Sequence, residues 1–256
     1  MPEHDLMLFG QMPLLDMLAL AWFLVGAVGY TAVADQIAWG KRPMAVVLTD
    51  YRLRWMERML ERENRIADVQ IITAYIRADS LFISTTLIVL AGVFAVLGQI
   101  DHLQALIQDL SMAHAASRRV LELRVFVLIL VFVYAFFKFA WSLRQFNYIL
   151  VMIGAAPVPS QCAPAFSQQF TSRLALLLTR ATNNYNRGIR AYYFAMALLP
   201  WFLHPAFLFA TTVWVILVLS RRDFRSVTLK TLSDLSQAEA RDPVVIGTKA
   251  PGEGPG

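Results

Sequence analysis

Apolar residues in this chain fall into long blocks, and the stretches between the blocks are rich in arginine. Residues 14–34 form an apolar run broken only by Asp16. Residues 80–98 carry no charge at all, and residues 125–142 carry only Lys138. At about 1.5 Å of rise per residue, each run approaches the thickness of a hydrocarbon core of about 30 Å. The last block, 191–220, is too long for one ordinary crossing and too short for two. Pro200 and Pro205 lie in its middle with Trp201 and His204 between them. That is the chemistry of a turn at a membrane surface. Adding residues 183–190 to the block gives two arms, 183–202 and 206–222, joined as a Pro-containing hairpin. The pattern therefore predicts an all-α, polytopic helical membrane protein with about five membrane segments. If the last block is one kinked helix, the number is four.

Between the blocks the period changes. Leu48, Tyr51, Trp55 and Met59 recur at three or four residues, which predicts an amphipathic helix over 44–66 lying along the inner membrane surface or against another part of the protein. Asp50 with Arg54, and Glu61 with Arg65, have the spacing of helical ion pairs. Leu103, Ile107 and Leu110 predict a second interfacial helix within 101–123. The string Gly154-Ala155-Ala156-Pro157-Val158-Pro159 ends the third block, and Phe166, Phe170, Leu174 and Leu177 then mark a third amphipathic helix. The chain reads as one helical membrane domain, 14–232. A short N-terminus, 1–13, precedes it, and a polar Pro/Gly-containing tail, 233–256, follows it and is expected to be disordered.

Composition strengthens the membrane reading. The chain is 57% hydrophobic and only 16% charged, against about 25% charged in soluble proteins. Charge sets the expected orientation. The segment 35–79 carries Lys41, Arg42, Arg52, Arg54, Arg58, Arg62, Arg65 and Arg77, so it should be cytoplasmic and the N-terminus outside. Arg221, Arg222, Arg225 and Lys230 follow the last block. Only the hairpin puts them on the same inner side, so the C-terminus is expected in the cytoplasm and the protein in the cell (inner) membrane. The net charge of +5 needs no nucleic acid, because anionic headgroups suffice to balance it. Expected partners are membrane lipids and a second copy or a larger membrane complex.

Candidate chemistry is sparse. Cys162 is the single cysteine, which excludes an intramolecular disulfide and a multi-cysteine metal site. His4, His102, His114 and His204 are scattered. No phosphate-binding glycine loop, zinc-protease motif or nucleophile elbow occurs, so no catalytic residue, metal or cofactor is expected. Asp68, Asp79 and His204 are the only acids or bases placed for work at an interface. One constellation stands out. Asn64, Arg65, Asp68 and Gln70 precede the second span; Arg144, Gln145 and Asn147 end the third; Asn186, Arg187 and Arg190 open the fourth, after Asn183 and Asn184. With the predicted topology, all three groups lie at the inner face. They could line a cavity for an anionic solute or lipid headgroup. The plainer reading is that the arginines are positive-inside anchors and the amides tie helices together. Of the arginines, Arg187 lies deeper in the polar string and is the expected site of a bidentate contact.

Several strings together resemble a known family. They are Trp55-Met56 with Glu63-Asn64-Arg65-Ile66-Ala67-Asp68-Val69-Gln70, and Phe139-Ala140-Trp141-Ser142-Leu143-Arg144-Gln145-Phe146-Asn147-Tyr148. The others are Asn186-Arg187-Gly188-Ile189-Arg190-Ala191-Tyr192-Tyr193-Phe194 and Arg221-Arg222-Asp223-Phe224-Arg225-Ser226. The set resembles the domain of unknown function 599 family over residues 14–232. That resemblance implies a multi-pass membrane protein and no particular activity. Three function classes follow, in order. The first is a non-enzymatic membrane component, such as an accessory or scaffold subunit. An oligomeric transporter or channel for a small anionic solute comes second, and a lipid-acting enzyme last.

Overall fold

The computed structural model describes residues 13–36, 44–109, 117–158, 163–224, 231–232 and 234–235, and these are helical with short connections. Among the described residues, seven helices carry the fold: α1 (Leu14–Gln36), α2 (Met44–Glu61), α3 (Ile66–Gly98), α4 (Ile100–Gln108), α5 (Arg118–Gly154), α6 (Pro164–Leu198) and α7 (Pro205–Phe224). Their ends follow local chemistry. The Asn64 side chain accepts from the Ile66 amide as α3 begins. The Ser117 hydroxyl caps α5 by accepting from the Val120 amide. Pro164 and Pro205 open α6 and α7, where a missing amide hydrogen costs nothing. A short 3-10 turn over Leu199–Phe202 separates these two helices. The basic residues Lys41 and Arg42, His4, Leu110, His114, Cys162, Arg225 and Lys230, and all of the two terminal segments except residues 13 and 234–235, fall outside the described residues.

The protein is an integral membrane protein. Helices α1, α3, α5 and α7 are long and apolar enough to cross a membrane. Large apolar side chains such as Val28, Ile88, Phe137 and Trp214 point outward. A soluble fold would hide such a surface, whereas lipid solvates it.

Contacts give the helix directions. Trp22 meets Phe209, Gly26 faces Thr212 and Ile216, and Tyr30 reaches Asp223. Positions rise together, so α1 and α7 are parallel. Phe82 stacks on Phe139 and Tyr75 on Phe146, so α3 and α5 are antiparallel. Phe132 meets Tyr192 while Ser142 bonds Ala181, so α5 and α6 are antiparallel. Thr211 donates to the Ala197 carbonyl while Arg222 lies over the Tyr193 ring, so α6 and α7 are antiparallel too. The second half of α6 thus runs as a fifth, returning segment. With only four passes α1 and α7 would point in opposite directions, so the predicted hairpin is the arrangement present.

Three helices are longer than any crossing needs. α3, α5 and α6 have 33, 37 and 35 residues, or about 50–55 Å each against a core of about 30 Å. The predicted spans 80–98, 125–142 and 183–202 are parts of these unbroken helices. The surplus lies on the side where α1 ends at Asp35. There α2 joins α3, α5 and α6 around a second apolar core built on Met56, Met59, Ile72, Phe146, Ile149, Ile153, Leu174 and Leu178. We refer to this end as the bundle end. The predicted 44–66 helix stops at Glu61, so Glu61 and Arg65 are not a pair within one helix. The expected 101–123 helix is instead the short α4, with α5 beginning at Arg118.

A membrane core around Phe23, Leu128, Phe132, Phe194, Trp201 and Leu208 meets the bundle core at an aromatic joint. Phe82, Phe139, Tyr185 and Tyr192 make that joint, with ring centroids 5.1–5.9 Å apart. Gly188 lets α5 and α6 close there. A Cβ at that position would lie 2.6 Å from the Phe139 ring.

Candidate functional site

Helix directions bring the polar residues of the bundle end to three levels. At the level where α1 ends, the Asp35 carboxylate holds two guanidinium groups. Arg187 Nε donates to Oδ2 at 2.7 Å and Arg190 Nη2 to Oδ1 at 2.6 Å. The Arg190 side chain is only 6% exposed and that of Arg187 34%. Lys138, the one charge in the third apolar run, lies over the Tyr134 ring at 5.3 Å. On α7, Asp223 accepts from the Tyr30 hydroxyl at 2.8 Å and from Arg222 Nε at 3.0 Å.

The second level lies about one turn further out. Asn184 donates to the Gln145 side-chain oxygen at 2.9 Å, both groups buried. Ser142 donates to the Ala181 carbonyl at 3.0 Å. Asp79 stands beside Ser142, fully buried, and neither of its oxygens has a donor. Arg144 turns to the Tyr148 hydroxyl at 2.7 Å and Asn147 back to the Leu143 carbonyl, both along α5 itself. Asn186 is half-buried on α6.

The third level is the tip. Asp68 is fully buried and accepts from Trp55 Nε1 at 2.7 Å and Arg62 Nη1 at 2.8 Å. Arg65 donates to the Ala156 and Pro157 carbonyls, both at 2.6 Å, which ties it to the segment just after α5. Gln70 lines an open groove of about 670 Å³ with Asn64 and Arg65. Asp79 lies fourteen positions after Arg65, the residue that precedes α3, about 21 Å along the axis. The three sequence groups therefore share one end of the molecule but not one level. Gln145 meets Asn184, Arg187 and Arg190 meet through Asp35, and Asn64, Arg65 and Gln70 border one groove.

The opposite end carries a network that sequence reasoning passed over. Asp16, the one charge in the first apolar run, is buried. Its Oδ1 accepts from Arg124 Nη2 at 2.7 Å and from Trp201 Nε1 at 2.8 Å. Arg124 also donates to the Phe202 carbonyl at 3.2 Å and lies 5.4 Å from the Trp201 ring centroid. This cluster pins α1, α5 and the Pro200–Pro205 turn together. The available signal was the Asp inside an apolar run, since buried charge in a membrane helix calls for a partner. Asp35 and Trp55 left no comparable signal.

Most of these groups bind one another. Guanidinium–carboxylate bonds of 2.6–2.8 Å hold elements in place more readily than they wait for a solute. Among the described residues, no three His, Cys, Asp or Glu side chains gather in a way that could hold a metal ion. Comparison with known proteins gives one finding. A family model described as a protein of unknown function, DUF599, matches residues 18–228. No curated protein and no solved structure matches the chain.

Proposed function

Because the chain belongs to the DUF599 family of unknown function, we propose its role from its own geometry: a non-enzymatic membrane component, an accessory or scaffold subunit. The single observation that supports this reading is the pairing of its charges. Asp16 with Arg124, Asp35 with Arg187 and Arg190, and Asp68 with Arg62 and Trp55 brace helices against one another. Such bracing suits a rigid post that carries a helical bundle beyond the membrane. The positive-inside rule puts that bundle in the cytoplasm and the N-terminus outside, in the cell membrane. Membrane lipids and a second copy or a larger complex are the partners of this reading, and no cofactor belongs to it.

The test is purification in mild detergent, with cross-linking and native mass spectrometry, followed by reconstitution into liposomes. A defined assembly cross-linked through α2 and the tip of α3 is expected. A monomer that moves small anions across the liposome membrane would overturn the scaffold reading in favour of a transporter.

A further inference from the structure

Asp79 is a buried charge that the bracing does not explain. It stands immediately before the charge-free run 80–98, wholly out of solvent, with no donor to either oxygen. Each packed element offers it little. α5 presents Ser142, whose one hydrogen goes to the Ala181 carbonyl of α6. α6 also presents Tyr185, and α3 itself presents Tyr75 one turn earlier, stacked on Phe146. Arg52 of α2, a buried cation, interacts with Tyr75. The carboxylate therefore stands beside the lone pairs of Ser142, and two neighbouring acceptors favour something positive between them.

Ligand count decides what that is. A hard metal cation asks for about six oxygens. Asp79 and Ser142 supply three, and the Ala181 carbonyl is already engaged. A proton needs one oxygen to carry it and one to accept it. We propose that Asp79 is a proton-binding site. The carboxylic acid donates to Ser142 Oγ, Ser142 donates on to Ala181, and the chain ties α3, α5 and α6 together where the membrane core meets the bundle. The proton comes from water on that side and returns there when it leaves.

Burial supports this, because a carboxyl out of water and without a donor favours its neutral form; a Ser142 hydroxyl turned toward Asp79 would favour the anion, at the loss of its bond to Ala181. The sign follows. Above the pH at which the unfolded chain releases this proton, the folded protein still holds it. Stability is full below that pH and is lost as pH rises through the folded site's own midpoint.

The experiment melts the full-length protein in detergent from pH 5.5 to 8.5 in choline chloride, beside Asp79→Asn and Ser142→Ala. Infrared spectra of the protonated carboxyl band accompany the melts. The parent should melt about 5 °C lower at the alkaline end. Asp79→Asn, a neutral isostere, should abolish that difference and the carboxyl band. Ser142→Ala should move the midpoint to lower pH, because the acceptor is gone. An unchanged pH slope in Asp79→Asn overturns the proposal, as does a parent with no carboxyl band at pH 5.5. A midpoint raised by Ser142→Ala also overturns it, by showing that Ser142 donates to an ionised Asp79. Replacing choline by sodium tests the remaining occupant. A saturable rise in melting temperature that depends on Asp79 would make this a metal-cation site and refute the proton.

Discussion

A guanidinium fork and an ammonium group carry the same charge but hold a carboxylate differently. The fork is planar and can use two donors at once; the ammonium is a point charge with a large hydration shell. Around Asp35 this difference should be measurable. Arg190 is nearly out of solvent and Arg187 a third exposed. Arg190→Lys should lower stability by about 1–3 kcal/mol through a poorly satisfied buried cation. Arg187→Lys should cost less than about 1 kcal/mol, since water can take over its contacts. Detergent melting curves of the two single variants give the ranking, and equal loss would mean that burial does not govern this site. The polar string drew attention to Arg187, whereas burial ranks Arg190 first. Both arginines were legible as basic residues at a span's end. Asp35 was not legible as their partner, because 152 residues separate it from Arg187 and periodicity says nothing about which helices adjoin.

At the scale of elements, the seam between α5 and α6 depends on one missing side chain. Gly188 faces the Phe139 ring at a distance no Cβ tolerates. Gly188→Ala should destabilise by about 1–3 kcal/mol, because the ring sits in a packed aromatic cluster and cannot move away. Combining it with Phe139→Leu should recover part of the loss, a coupling that a double-mutant cycle reads directly. Additive losses would show that the two residues do not share the seam. The apolar blocks foretold the C-terminal half of α3 and the middle of α5 because freedom from charge is what a crossing requires. Their full lengths were hidden. Beyond the membrane the same helices turn amphipathic, and a change of period reads as a new element even where the backbone hydrogen bonds continue unbroken.

For the whole molecule, the parallel course of α1 and α7 fixes an odd number of passes. Reporters fused at the N-terminus and after residue 224 should therefore respond on opposite faces of the membrane. Signals on the same face would contradict the helix directions described above. The sequence suggested this arrangement through charge bias and two prolines five residues apart, because both act on whichever side a loop occupies. The three-level layering of polar groups could not be foreseen in the same way, since it depends on how far each helix overshoots.

That overshoot has a mechanical consequence. α3, α5 and α6 pass from one core to the other without a break, so none of them has a hinge between lipid and tip. An overhang of about 20–25 Å acts as a lever arm. Tilting these helices by about 10°, well within the range over which membrane helices adjust to bilayer thickness, would sweep the tip through about 4 Å. Asp68, Trp55 and the groove beside Arg65 ride at the far end of that arm. A change in bilayer thickness would therefore be felt as displacement at the tip, with the bundle serving as its pointer.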